Sequence, residues 1–305
     1  MTDLKELTSV LRGSVLFDVQ MHEYTSMQVG GACVCVFTPA DTADITAFLE
    51  WARRNEERYF VMGSGTNLIV RDKGVRSPII RIKDTLDSLQ VEQEDASGVV
   101  MTAGAGIPLA QLVKYCTEHG LSGMEPLAGI PGTLGGALAM NAGTAGGTVS
   151  DIVETVTFIE RSGRTRTLNR KAMGFGYRTC RELSSSSIVV SAVVRLRKSD
   201  AKRVSSSVAA VLEEKTRTQP LNYPSSGSIF KNPPKVKAWK LLDEAGMRGV
   251  RVRGAKYSEL HTNFIVNTGQ ARAEDVLTLI DAGIEKVREK TKIKLELEVV
   301  IIGEP

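Results

Sequence analysis

The sequence predicts an α+β protein of three consecutive units, 1–83, 84–198 and 199–305, and three observations carry that expectation. Each unit mixes short apolar strands with amphipathic helical stripes. The Gly63-Ser64-Gly65 turn after an apolar strand lacks the third glycine and the following helix of a Rossmann dinucleotide site, since Leu68 stands where that glycine belongs. An uncharged, glycine-rich stretch, 124–150, lies inside the strand-rich second unit.

In the first unit Leu4, Leu7, Val10 and Leu11 share one helical stripe, so a short helix opens the chain. Residues 32–38, ACVCVFT, read as a buried strand. Asp41 to Asp44 reads as a helix start, with Ile45, Phe48, Leu49 and Ala52 as its apolar face. RYFVMG then runs as a strand to Gly63, and the unit closes near Ile82.

In the second unit residues 86–103 alternate as two strands. Pro108 starts a helix whose stripe is Leu109, Leu112, Val113 and Cys116, and Gly120 ends it. Strands follow at 152–160, 165–168 and 188–196, with a turn at Ser162-Gly163 and a loop carrying Gly174 to Arg178. Between Glu125 and Asp151 no side chain is charged, yet the glycines and Pro131 supply turns rather than a membrane-spanning helix. Glycine lets a main chain approach a ligand closely, and successive N–H groups can cradle phosphate. A nucleotide cofactor along this loop is one reading; a tightly packed structural loop is the other. Neither glycine-rich loop holds a Walker lysine, which disfavours a P-loop NTPase.

The third unit opens with a polar helix over 201–218. A proline-bracketed turn segment, QPLNYPSSGSIFKNPP, precedes a helix with Trp239, Leu242 and Ala245 on one face. TNFIVN is a strand, Val276, Leu277, Ile280, Ile284 and Val287 form a long helical stripe, and LELEVVII is the closing strand.

Composition narrows the function classes. Hydrophobic content of 42% supports sizeable cores, and a net charge of +4 spread along the chain gives no concentrated basic face for nucleic acid. The four cysteines include no CxxC pair and the three histidines lie far apart in sequence, against zinc or disulfide scaffolding. The N-terminus carries charge throughout and has no apolar signal core, so a cytoplasmic location is expected.

Three polar residues stand out by context. Ser228 lies between prolines, where a hydroxyl can be aimed; Arg178 follows a glycine-rich turn; Glu298 is one of two carboxylates in LELEVVII. Glu296 and Glu298, two apart, share a strand face, and spacing alone leaves both open to being solvated surface residues. A turn serine and a surface ion pair are equally ordinary readings of the other two.

Taken together, the motifs resemble the UDP-N-acetylenolpyruvoylglucosamine reductase family, in its shorter form without an inserted tyrosine loop. The pieces are YTSMQVGGAC (24–33), GSGTNLIVRD (63–72), AGAGIPL (103–109), GIPGTLGGALAMNAG (129–143), GYR (176–178), GSIFKNP (227–233), HTNFIVN (261–267) and LELEVVIIG (295–303), in order over nearly the whole chain. The resemblance implies a vanillyl-alcohol-oxidase-type (PCMH-type) FAD-binding fold of two subdomains, plus a C-terminal α+β substrate-binding domain. It assigns FAD to Gly63, Ser64, Gly65, Thr66, Asn67 and Leu68, to Gly104, and to Gly129, Ile130, Pro131, Gly132, Gly135, Gly136, Asn141 and Gly143. It places the substrate, UDP-N-acetylglucosamine enolpyruvate, against Tyr177, Lys231, Asn232, His261 and Asn263, with Lys231 and Asn232 at its diphosphate.

The implied reaction has two halves. NADPH reduces the flavin and leaves; reduced flavin then passes hydride to C3 of the enolpyruvyl group, giving UDP-N-acetylmuramate for peptidoglycan. Ser228 matches the proton donor to C2, and Arg178 and Glu298 match the residues that stabilise the enolate through the substrate carboxylate. Such a set suits the chemistry, because charge developing on an electron-rich enol ether must be met by preorganised donors and a cation. A guanidinium binds a carboxylate through two parallel hydrogen bonds.

Three positions depart from the family pattern: Gln28 where an arginine or lysine is usual, Cys180 where a serine is common, and Thr262 in place of alanine. A flavin oxidase of the same fold acting on another alcohol or sugar is the runner-up, and a non-catalytic nucleotide binder is the alternative class. The expected form is a monomer with no nucleic-acid partner and no membrane span.

Overall fold

The computed structural model describes residues 4–305. The opening stripe forms a 3-10 turn, Leu4–Glu6, that runs into α1 (Leu7–Val10). Strands β1 (Ser14–Gln20) and β2 (Ala32–Thr38) follow, and Cys33 and Cys35 alternate into the core as their spacing requires. Helix α2 (Thr42–Arg54) starts where Asp41 accepts the Asp44 N–H, and it buries Ile45, Phe48, Leu49 and Ala52. Phe48 stacks on Phe37 at 5.4 Å and meets Tyr59 edge-on at 5.6 Å. Asp44 is almost fully buried, because its carboxylate accepts the main-chain N–H groups of Arg12, Gly13 and Ala40.

Strands β3 (Phe60–Met62), β4 (Leu68–Val70), β5 (Ile79–Arg81), β6 (Leu89–Glu94) and β7 (Val99–Gly104) lead to α3 (Leu109–Glu118), which buries the expected stripe. Beyond β8 (Leu121–Ser122), the glycine-rich stretch holds one short helix, α4 (Leu134–Ala139), capped by Thr133, and a hairpin of β9 (Gly143–Thr144) and β10 (Gly147–Thr148). Strands β11 (Val153–Ile159) and β12 (Thr165–Asn169), helix α5 (Arg170–Met173), strands β13 (Phe175–Gly176) and β14 (Thr179–Cys180), and the long β15 (Ile188–Lys198) complete this part.

Helix α6 (Ala201–Thr218) spans the predicted residues. Then come β16 (Ser225–Ser228), α7 (Ala238–Glu244), β17 (Arg251–Val252), β18 (Ala255–Tyr257), β19 (Phe264–Asn267), α8 (Ala273–Thr291) and β20 (Val300–Ile302). The buried face of α7 is Ala238, Leu241 and Leu242, one step round from the expected stripe, and it leaves Trp239 half-buried. The closing strand is shorter than LELEVVII suggested. Leu297 makes an isolated bridge to Phe230, the chain bends at Glu298 and Val299, and only Val300–Ile302 is regular strand.

By compactness the chain forms two units. The first comprises residues up to Phe17, Cys35–Ser64 and Ser77–Glu213; the second comprises Asp18–Val34, Gly65–Arg76 and Glu214–Pro305. The three-part reading follows chain order, whereas compactness groups residues 18–34 and 65–76 with the C-terminal segment. The parallel pairing of β4 with β20, Leu68 with Val300 through Val70 with Ile302, is one reason.

The first unit's large sheet runs β12-β11-β15-β7-β6, with β8 also on β15. The smaller sheet runs β1-β2-β5-β3, with β5 parallel to both β2 and β3. In the second unit an antiparallel sheet, β16-β19-β18-β17, packs on α7 and α8. Gly283 of α8 lies against Tyr257, whose hydroxyl donates to the Leu279 carbonyl at 3.0 Å, and a Cβ there would overlap the phenol oxygen.

Candidate active site

In the first unit the residues expected at the cofactor come together around Thr133. Leu109 N–H donates to the Gly132 carbonyl, Leu134 N–H to Ile107 and Gly135 N–H to Ala105, so segments 104–109 and 132–135 lie side by side. Thr133 Oγ1 accepts the Gly136 N–H, and it occupies the space that a Cβ on Gly63 would need. Thus Gly63, the 104–109 segment and the helix start at 133–136 meet in one place, although they are distant in sequence. Gly104 itself is buried, with its N–H on the Ser88 carbonyl.

The outer side of this cluster fits a flavin dinucleotide. Gly129, Pro131 and Gly136 are exposed, while Leu127, Ala128, Thr133 and Leu134 beside them are buried. A Cβ on Gly136 would meet only Thr133 Oγ1, at 3.6 Å. No carboxylate stands between Glu125 and Asp151 to repel a diphosphate. The inner side answers to the other reading of the stretch, since a Cβ on Gly143 would overlap the Gly147 carbonyl of the β9–β10 hairpin. The loop is both a packed structure and an open, side-chain-poor face.

Arg178 and Tyr177 form the two-residue connection between β13 and β14, Arg178 with φ +55°. Arg178 Nη2 donates to the Gly143 carbonyl, and its guanidinium lies 5.3 Å from the Tyr177 ring centroid. Asn141 anchors the same turn: its Nδ2 donates to the Gly176 carbonyl at 2.9 Å, while its Oδ1 accepts the Ser150 N–H. Cys180, at the serine position, is buried and donates to the Met173 carbonyl; burial raises its thiol, and pushes that of Cys116 up to about 12. Neither thiol has the character of a nucleophile or covalent flavin link.

In the second unit Ser228 and Glu298 are brought together. Between β16 and β19, Ser225 pairs with Val266 and Ser228 with Phe264, so one extra residue is inserted on the serine strand. Gly227, with φ +74°, sits in this bulge, a device that re-aims the next side chain. Immediately after Ser228, the Ile229 carbonyl accepts the Glu298 N–H at 2.8 Å. Glu298 is half-buried, while Glu296 is exposed and 3.9 Å from Lys231 Nζ. The tertiary structure thus separates two carboxylates that sequence spacing made equivalent.

The 65–68 segment underlies both groups. Ser26 Oγ lies 2.7 Å from the Ser225 carbonyl and 3.3 Å from that of Thr66, Ser226 Oγ donates to Leu68, and Asn67 Nδ2 donates to Glu298 at 3.0 Å. Ser26 and Ser226 were not among the candidates; their one signal is that each lies within or beside a matched motif. Gly65 packs on the Tyr24 carbonyl, and the Ser26 N–H donates to its carbonyl.

The remaining candidates divide. Asn232 Oδ1 accepts the Ala238 N–H at the start of α7. Asn263 is buried with its amide closed on Phe230, Oδ1 accepting the N–H at 3.0 Å and Nδ2 donating to the carbonyl at 2.8 Å. His261 lies between Trp239 and Phe264, and its buried Nδ1 has no hydrogen-bond partner. Burial lowers its pKa and favours the neutral ring. Thr262, at the alanine position, is fully buried and donates to Asp243. Gln28, with φ +56°, borders a cavity of about 620 Å³ lined also by His22, Tyr223 and Asn267.

Among the described residues no helix is long and apolar enough to cross a membrane, and no cluster of ligating side chains suits a metal ion.

Comparison with known proteins bears on this geometry. A family model described as UDP-N-acetylenolpyruvoylglucosamine reductase, C-terminal domain, matches residues 219–302, and one described as FAD binding domain matches 33–169. The UDP-N-acetylenolpyruvoylglucosamine reductase of Geobacter metallireducens is 43% identical, over 98% of this chain and 97% of that protein. That of Geotalea uraniireducens is 39% identical, over 97% of each. The crystal structure of the Thermus caldophilus reductase superposes with a TM-score of 0.79 at 35% identity, covering 95% of this chain and 99% of that one. The α+β FAD-binding fold expected from the sequence is the fold observed. The chain belongs to the UDP-N-acetylenolpyruvoylglucosamine reductase family.

Proposed function

We propose that the protein reduces UDP-N-acetylglucosamine enolpyruvate to UDP-N-acetylmuramate, with FAD as cofactor and NADPH as reductant, in peptidoglycan precursor synthesis. The observation that supports this most directly is the 2.8 Å hydrogen bond from Glu298 N–H to the Ile229 carbonyl, which seats the two candidate groups for the enolate step on adjoining main chain.

FAD, when bound along 63–68 and 129–143, supplies hydride transfer from NADPH to C3 of the enolpyruvyl group. The protein's own residues manage the charge and the proton. Ser228, aimed by its bulge, gives a proton to C2, a role that depends on placement because serine is a weak acid. Arg178 binds the substrate carboxylate as a fork. Glu298, seated on main chain beside Ser228, acts with Arg178 to stabilise the developing enolate through the substrate carboxylate.

Lys231 meets the diphosphate, and His261 lines the substrate pocket as a neutral ring. Asn232 and Asn263 shape the segment that carries Lys231, and exposed Tyr177 covers the substrate beside Arg178. Ser64 and Thr66 offer hydroxyls, and Gly129, Ile130, Gly132 and Gly135 offer backbone, to the cofactor. The proposed setting is a cytoplasmic monomer; the four free thiols suit a reducing compartment.

Purified protein tests the proposal. It is expected to be yellow, to release FAD on denaturation, and to turn over NADPH beyond the one equivalent that reduces its flavin only when the enolpyruvyl sugar nucleotide is present. Equal NADPH oxidation with and without that nucleotide would overturn it.

A further inference from the structure

The geometry points to Asn67 as the residue that positions Glu298 for the enolate half of the reaction, an inference that rests on the role proposed for Glu298. The C-terminal segment changes partners within a few residues. Upstream, Lys231 N–H donates to the Glu296 carbonyl and Glu298 N–H to Ile229, both at 2.8 Å, with Leu297 opposite Phe230 in an antiparallel bridge. Downstream, Val300–Ile302 runs parallel to β4. Between the antiparallel neighbour and the parallel one the chain bends, at Glu298 and Val299.

The carbonyl of Glu298 lies at that bend, where regular strand pairing has ended, so this part-buried peptide oxygen takes its donor from elsewhere. Asn67 Nδ2 is that donor, at 3.0 Å. Only the NH₂ end of the amide can meet a carbonyl, so the partner settles its orientation. The main-chain carbonyl of Asn67 also accepts the Val300 N–H at 2.9 Å. One residue therefore holds the peptides on both sides of Val299. With its N–H on Ile229 and its carbonyl on Asn67, the backbone of Glu298 is held at both ends, and only side-chain torsions remain to aim the carboxyl group.

The motif to which Asn67 belongs assigns it to the cofactor. Its amide is spent differently, on the C-terminal strand. The same short segment is tied to the serine bulge through Ser226 Oγ on Leu68 and Ser26 Oγ between Thr66 and Ser225. A change at Asn67 is thus transmitted to the enolate half of the reaction without any group on Asn67 touching the substrate.

The test is single-turnover kinetics of the FAD-loaded Asn67→Ala variant, with flavin reduction by NADPH and reoxidation by the enolpyruvyl sugar nucleotide measured separately. Reoxidation is expected to fall about 10²-fold further than reduction, the scale of a displacement near 1 Å at a reacting group. In a Glu298→Ala background Asn67→Ala should cost nothing more, because the group it positions is gone. Independently of turnover, amide hydrogen exchange of Glu298 and Val300 should accelerate more than that of the rest of the second unit. Equal losses in both halves, or full additivity with Glu298→Ala, would overturn the inference. Should Asn67→Ala fail to fold, Asn67→Asp keeps the shape without the donor and carries the same comparison. Wild-type protein that does not reoxidise with the sugar nucleotide would sink the proposed function instead, and the exchange measurement would still decide what Asn67 holds.

Discussion

Arg178 Nη2 donates to the main-chain carbonyl of Gly143 at 2.9 Å. Asn141, two residues earlier, returns the contact by donating to the Gly176 carbonyl. The uncharged glycine stretch therefore holds the arginine turn as well as presenting a side-chain-poor outer face. A Cβ at Gly143 would collide with the hairpin backbone, so the carbonyl that Arg178 uses is fixed in place.

Arg178→Ala is expected to retain FAD and its reduction by NADPH. Reoxidation by the enolpyruvyl sugar nucleotide should slow by about 10²–10³-fold, the usual scale for removing one preorganised donor from a developing negative charge. A stopped-flow comparison of the two half-reactions reads this directly, and a defect confined to flavin reduction would contradict the assignment.

Ser228→Ala should also keep the first half-reaction. Loss of a positioned proton donor typically costs about 10²–10⁴-fold, and here it should appear only in reoxidation. Wild-type turnover in this variant would remove Ser228 from its role. The bulge itself is set by Gly227 at φ +74°, so Ser228→Ala leaves the backbone intact and the comparison clean.

Asp72 caps α8 from outside the helix. Its carboxylate accepts the N–H groups of Ala273 and Glu274, each at 3.0 Å, and lies 3.7 Å from the guanidinium of Arg272. Asp72→Ala should destabilise the protein by about 1–2 kcal/mol, the cost of losing such a cap. Calorimetry should show a lower Tm, and Asp72→Asn, which keeps one acceptor, should lie between the two. An unchanged Tm in Asp72→Ala would show that water caps the helix equally well.

Lys215 is buried, which pushes its pKa down to about 8. An unfolded lysine titrates near about 10.4, so the folded protein gives up this proton first. Between those two values the unfolded state binds more protons, and stability should rise with pH across that window. Below pH 8 both states are charged and the full cost of burying the ammonium is present. Urea unfolding from about pH 7 to 10 should therefore climb more steeply for the wild type than for Lys215→Met. Parallel profiles would show that Lys215 does not titrate in the folded protein as described.

The sequence by itself determined most of the elements and the family. The apolar stripes of α2 and α3 lie buried where a period of 3.6 puts them, that of α8 turns so that Leu279 and Gly283 are buried while Leu277 and Ile284 are only partly so, and the eight motifs point to the family that the relatives show. Those signals are local, carried by side-chain periodicity and short strings of residue types. What only the tertiary structure decided were the long-range pairings. Nothing in LELEVVII shows that the chain bends at Glu298, because the bend comes from leaving Phe230 for β4. Nor does spacing distinguish Glu298 from Glu296, since burial is a property of the neighbours and not of the strand. Asn67 and Asn263 are expected at ligands from the motifs, and Ser226 carries no such signal. In the fold their amides and hydroxyl meet main-chain groups on distant segments, because a buried peptide left without a partner costs more than a side chain withheld from solvent.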